Sequence, residues 1–529
     1  MKCADKIFFG GRVYTMAREG ECFEAFAVIG GRFAAVGSEA SFKGWDAAER
    51  IDLGGSTVLP GMIDSHLHLS IFARTLSEVY LGDCRSIGEV VQKLSERAST
   101  VSEGGWIVGG SLDDEKLIER RMPNRLDLDL ASSNHPILIS RCCLHMHAAN
   151  SLAMDLAGLT ASNEDSGLFE TFPDGTLNGI LRETAVSSVI NIIPDICARS
   201  SDAKNLLART LALMSSRGLT GIHCLPGYPG ESLDRFSLLQ ELRREGRLPI
   251  RLYMCSSEYP SFGMSTGFGD DMLRYGFYKI FSDGSLGARD AAMLNAYSDD
   301  PGNSGTLFHT QEELVSLMRK AYDMDVQIGI HAIGDRGVEA AISAFEAVYR
   351  ENEKKDPRFR LIHASVTNQE QIERMKRLPL MIDIQPAFAT SADIDWMDAR
   401  VGPERAKYAY PFRTFIDNGV LLAGGSDCPV ETFDPFFGIY GAVNRQAADG
   451  HPEGGFYPQE RLSVYEAISL YTKNAAYASF EESIKGTVEE GKLADFIVIK
   501  EDPFEIDPKR LKDIEVEKTY LGGELMPKP

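Results

Sequence analysis

Four histidines and one aspartate stand directly after short apolar runs, a placement that suits metal chemistry. Ser56–Ile63 leads into Asp64-Ser65-His66-Leu67-His68. The strand period of two puts both imidazoles on one face, able to converge on a single ion. Gln327–Ile330 leads to His331, Arg360–Ile362 to His363, and Ala423–Ser426 to Asp427. Two ligands do not make a site, but the chain has only ten histidines, and four of them fall at run ends. If the runs are barrel strands, all five side chains stand at the C-terminal face, where barrels keep their active sites. A divalent ion held there lowers the pKa of bound water to about 7. The same ion would polarise a carbonyl and shelter the tetrahedral oxyanion.

Lys279 lies inside the run Phe277–Phe281. An ammonium in a strand buried on both faces needs compensation. Two readings follow: an ion pair with Asp283 or another barrel acid, or conversion by CO₂ to a carbamate, an anionic oxygen ligand able to bridge two metals. Spacing alone leaves both open.

The elements that must position these groups follow from periodicity. Eight apolar runs alternate with helical stretches: Ser56–Ile63, Gly218–His223, Pro249–Met254, Phe277–Phe281, Val326–Ile330, Phe359–Ile362, Leu380–Ile384 and Val420–Ala423. That alternation is the pattern of βα units, and eight is the number of a TIM (β/α)₈ barrel. Capping boxes are expected at Thr310–Glu313, Thr367–Glu370 and Ser463–Glu466. The 150-odd residues between the first two runs exceed one helix and two loops, so an insertion is expected over about 72–205, packed over the barrel mouth. Strand-like runs also mark both ends: Lys6–Phe9, Arg12–Met16, Ala25–Ile29, Arg32–Val36, Ala494–Ile499 and Val516–Leu521. The expected organisation is an α/β chain: residues 1–57 and 480–529 form one β-sandwich, and 58–479 form the barrel with its insertion.

Bulk properties narrow the partners. With 55 Lys and Arg against 77 Asp and Glu, the net charge is −22, which disfavours nucleic acid and anionic membrane. The N-terminus lacks the apolar core of a secretory signal, and no apolar run reaches membrane-span length. Nine cysteines without regular spacing read as free thiols in a reducing compartment. The expectation is a cytoplasmic protein acting on a small molecule.

Several motifs together resemble the amidohydrolase superfamily. Pro60–His68 resembles its opening motif. Lys279–Arg289, Ile330–Asp335, Gly425–Val430 and Lys485–Asp495 are similar to its amidohydrolase-3 branch, in order along nearly the whole chain. The resemblance implies a TIM barrel with a β-sandwich built from both termini. It also implies one or two divalent ions: His66 and His68 on the first, His331 and His363 on the second, carbamylated Lys279 as the bridge, and Asp427 as the catalytic residue that touches metal, orients the attacking water, takes its proton and returns it to a departing amine. Zinc suits such ligands best, with iron and manganese open, and a homodimer is implied by resemblance alone. Leu144–Ser151 is similar to a branch motif through His145, although Cys143 and Leu144 depart from it. Gly179–Glu183 also fits, making His145 and Glu183 candidate substrate contacts. Asp283, Arg289 and Arg445 join them, the arginines as possible carboxylate clamps or as ordinary salt bridges. His223 ends the second run and would line the pocket. The implied reaction is hydrolysis of an amide, formamide or cyclic amide. Deamination of an aminated ring is the rival activity on the same centre, and a barrel scaffold without catalysis is the remaining class.

Overall fold

A computed structural model of the chain describes residues 2–76, 78–141, 146–159, 169–190, 192–193, 201–225, 234–259, 263–352, 356–391 and 393–528. It forms two compact units, Met1–Ser70 with Leu207–Pro529, and Ile71–Leu206.

The larger unit holds an eight-stranded parallel sheet: β1 (Met62–Leu67), β2 (Leu219–Cys224), β3 (Arg251–Ser256), β4 (Leu273–Phe281), β5 (Gln327–Ala332), β6 (Phe359–His363), β7 (Leu380–Ile384) and β8 (Leu421–Gly424). Each strand pairs with the next in sequence, as in a TIM barrel. The residues just past β8 close the ring on β1. The Asp427 amide donates to the His66 carbonyl at 2.7 Å, and the His68 amide to the Cys428 carbonyl at 2.8 Å. Gly425 makes this approach possible, because a Cβ there would fall 2.6 Å from the His66 backbone nitrogen.

The first apolar run is split. Thr57–Pro60 is a separate strand belonging to the terminal sandwich, and the barrel begins at Met62. The joint is Gly61, where a Cβ would meet Thr220 Oγ1 at 2.1 Å. Capping boxes form at Thr310–Glu313 and Ser463–Glu466. The third expected box shifts by one residue. Thr367 bonds through its hydroxyl to the Tyr408 carbonyl, and Asn368 caps the helix Gln369–Met375 with Gln371 returning the bond.

The sandwich has a four-stranded sheet (Arg32–Gly37, Ala25–Ile29, Lys2–Phe9, Trp45–Asp52) and a six-stranded one (Glu524–Leu525, Val516–Leu521, Phe496–Ile499, Thr57–Pro60, Arg12–Tyr14, Cys22–Phe23). Both chain ends therefore contribute to it. Its core is aromatic: Phe8 stacks on Phe26 at 4.8 Å, Phe496 on Tyr520 at 4.4 Å, and Phe26 meets Phe496 edge-on.

The smaller unit has its own six-stranded mixed sheet, ordered Phe169–Thr171, Leu177–Arg182, Met146–Ala149, Ile137–Arg141, Ile107–Leu112, Val79–Tyr80. Leu81, Val90, Leu94, Ile107 and Ile139 pack a core on it. Among the described residues no helix is long and apolar enough to cross a membrane, and the six described cysteines are free thiols.

Candidate metal centre

The ends of β1, β4, β5, β6 and β8 bring the predicted ligands to one rim. His66 Nε2 lies 3.2 Å, and His68 Nε2 3.1 Å, from the same oxygen of Asp427. Ligand atoms of these three residues all lie within 4.8 Å of one another. The imidazole centroids of His66 and His363 are 5.1 Å apart, those of His331 and His363 4.5 Å. Lys279 shares its strand face with Phe277 and Phe281, two residues to either side, and its side chain is buried with Nζ 4.9 Å from the Phe281 ring. Among the described residues no hydrogen bond or ion pair reaches that Nζ. The pairing with Asp283 is therefore not made.

Burial sets the charge states. It drives His66, His331 and His363 down, His331 to about 3, and the neighbouring Lys279 charge pushes His66 and His331 the same way. Burial also lowers Lys279 to about 7. For Asp427 burial acts upward, but His66 and His68 outweigh it and hold the carboxyl well below its ordinary value. Neutral imidazoles around an anionic carboxylate are the forms that ligate metal. A divalent ion fits by a second observation: among the described residues the buried His66 Nδ1 has no hydrogen-bond partner, and its Nε2 meets only the Asp427 oxygen, outside hydrogen-bond geometry, a costly arrangement that coordination through one ring nitrogen would ease. The N and O donors suit zinc.

Two of these positions carry unusual backbone. His363 has φ of +74° and Asp427 +57°. Below them Arg360 pairs bidentately with Asp383 at 2.7 Å, both wholly buried. Arg360 also donates to the Ser65 carbonyl and to His223 Nδ1. His223 is thus engaged inside the barrel. Gln385, just past β7, accepts from His363 Nδ1 at 2.6 Å. Sequence reasoning missed Arg360, Asp383 and Gln385. A charged pair inside two consecutive apolar runs was the available signal for the first two.

Three of the candidate substrate contacts have partners within the chain, and one of them, Asp283, lies 3.7 Å from His331 Nε2. Asp283 is fully buried and accepts from the backbone amides of Ala292, Ile333 and Gly334, so its oxygens are committed to holding loops. Arg289 pairs with Asp299, which also binds Arg400. Arg445 is enclosed, donating to the Phe456 and Tyr410 carbonyls between the Phe412 and Phe456 rings. Within the chain these three act as braces. His145 and the Glu183 side chain lie outside the described residues.

Comparisons with known proteins agree with this geometry. The model of the amidohydrolase family matches residues 49–527. YtcJ of Bacillus subtilis (strain 168) is 33% identical, covering 98% of this chain and 99% of its own. An N-substituted formamide deformylase of Arthrobacter pascens is 29% identical over 98% of both. A metal-dependent hydrolase from Pyrococcus furiosus superposes with a TM-score of 0.78 at 30% identity, over 94% of this chain and 100% of its own. One from Pyrococcus horikoshii OT3 gives 0.80 at 28%, over 95% and 99%. An eight-stranded barrel with histidines and an aspartate gathered at one rim, matched along almost its full length, makes this chain a metal-dependent hydrolase of the amidohydrolase family.

Proposed function

We propose that this enzyme hydrolyses a non-peptide carbon–nitrogen bond of a small molecule, an amide, formamide or cyclic amide. Water adds across the C–N bond to leave a carboxylate and an amine. His66, His68, His331, His363 and Asp427 would hold one or two divalent ions, zinc the best match, with Lys279 as a carbamate between them. When bound, such an ion supplies Lewis acidity toward water and the scissile carbonyl. Asp427 orients the attacking water through a carboxylate oxygen, accepts its proton, and delivers that proton to the leaving nitrogen. The convergence of His66 and His68 on one Asp427 oxygen, all three offering ligand atoms within 4.8 Å, carries this reading, and the formamide deformylase relative supports the substrate class. The buried amine of Lys279, which no hydrogen bond or ion pair reaches among the described residues, favours the carbamate.

A panel of N-substituted formamides, cyclic amides and aminated heterocycles, assayed with metal-stripped and reloaded protein, tests the proposal. Formate or another carboxylate, released only by the reloaded protein, is expected. Ammonia release from the heterocycles alone would replace it with deamination. A metal-independent rate would remove the metal from the reaction.

A further inference from the structure

The backbone of β6 does not by itself aim the His363 ring. Arg360 and Ile362 face the barrel interior, Arg360 against Asp383 and His223, Ile362 among Tyr253, Cys255 and Phe277. Strict alternation would turn the next residue outward. His363 instead adopts φ of +74°, and a ring at such a bend needs an external partner to fix its rotation and tautomer.

Gln385 is that partner. It is 2% exposed, its Oε1 lies 2.6 Å from His363 Nδ1, and its Nε2 donates to the Asp383 carbonyl at 3.2 Å. The amide orientation follows from the second bond, because a reversed amide would set two oxygens against each other. The oxygen facing His363 can only accept. Nδ1 must therefore carry the ring proton, which leaves the lone pair on Nε2. Asp383 is clamped by Arg360, so the carbonyl that holds Gln385 is itself fixed.

We propose that Gln385 is a positioning residue that locks His363 in the Nδ1–H tautomer and presents Nε2 as its metal-facing nitrogen. This rests on the metal reading above. Outer partners of ligating histidines change affinity by about 10–100-fold when removed.

The test is cobalt(II) binding to the metal-stripped full chain, measured by chelator competition and visible absorption. Gln385→Met keeps the shape and removes the acceptor, whereas Gln385→Glu keeps an acceptor oxygen. Affinity about 10–100-fold weaker for Met, with an altered absorption envelope, and a clearly smaller loss for Glu, which keeps the acceptor for His363 but not the donor to the Asp383 carbonyl, are expected. Wild-type affinity for the Met variant, or equal losses for both variants, would overturn the inference. A second measurement needs no variant: the imidazole ¹⁵N shifts of His363 in metal-stripped wild-type protein. A protonated Nδ1 is expected, and a proton on Nε2 overturns the assignment. Failure of the wild type to bind cobalt would instead sink the metal reading, an outcome the ¹⁵N shifts do not share.

Discussion

Left-handed backbone at His363 and Asp427 costs on the order of 1–3 kcal/mol per residue and persists only where surroundings over-determine it. Here they do. The Asp427 amide donates to the His66 carbonyl, and the Ala364 amide, one residue past His363, donates to Ala332 at 2.9 Å. Both His and Asp tolerate this region better than most side chains, so the conformation and the chemistry select compatible residue types. The proposed mechanism gives Asp427 one function that shape cannot replace, the transfer of a proton. Asn matches its size and its left-handed tolerance but neither accepts that proton nor carries charge. Asp427→Asn is expected to lower kcat/KM by about 10²–10⁴-fold while the metal-stripped protein keeps its thermal midpoint. Turnover within a few-fold of wild type, with metal bound, would take the general base away from Asp427.

Between strands, the segment from Ser282 to His309 that follows β4 is held shut by charge. Asp283 gathers three amides from two loops, and Arg336, Arg400 and Arg405 donate to carbonyls at Gly305, Gly287, Asn295 and Ala296. A buried donor left without an acceptor costs about 1–3 kcal/mol. Asp283→Ala should therefore speed hydrogen exchange at Ala292, Ile333 and Gly334 by roughly 10–100-fold, and unchanged exchange would show that water replaces the carboxylate. This strap explains what the sequence could and could not reveal. The eight barrel runs were legible because each is a short apolar stretch alternating with helical sequence, and four of them lead into a candidate ligand. The split at Gly61 was not, since one continuous run feeds two sheets and only the close approach to Thr220 separates them. Trp45–Asp52 escaped because its WDAAERID pattern is largely polar, as an exposed sheet edge permits. Gln385, Arg360 and Asp383 depend on neighbours far apart in sequence, which periodicity does not carry. The bracing bonds of Asp283, Arg289 and Arg445 were hidden for the same reason: a charged residue near a motif looks alike whether or not it also holds a loop amide or a carbonyl.

At the scale of the whole chain, all six residues of the proposed metal site belong to one of its two compact units. Ile71–Leu206 folds on its own sheet, around cores that include Val90, Leu94 and Ile139 in one cluster and Leu138, Met154 and Val189 in another. A ligand stabilises only the conformations that binding requires, by about 2.7 kcal/mol at a hundredfold excess over its Kd. If the units open separately, metal at that excess should slow hydrogen exchange by up to about a hundredfold in β1, β5, β6 and the residues closing β8 onto β1. Exchange in Ile107–Leu112 and Ile137–Arg141 should stay unchanged. Comparing the stripped and loaded full chain reads both units at once. Equal slowing in both would show that they open as one cooperative body, so that the stability of the metal centre is not confined to the barrel that supplies its ligands.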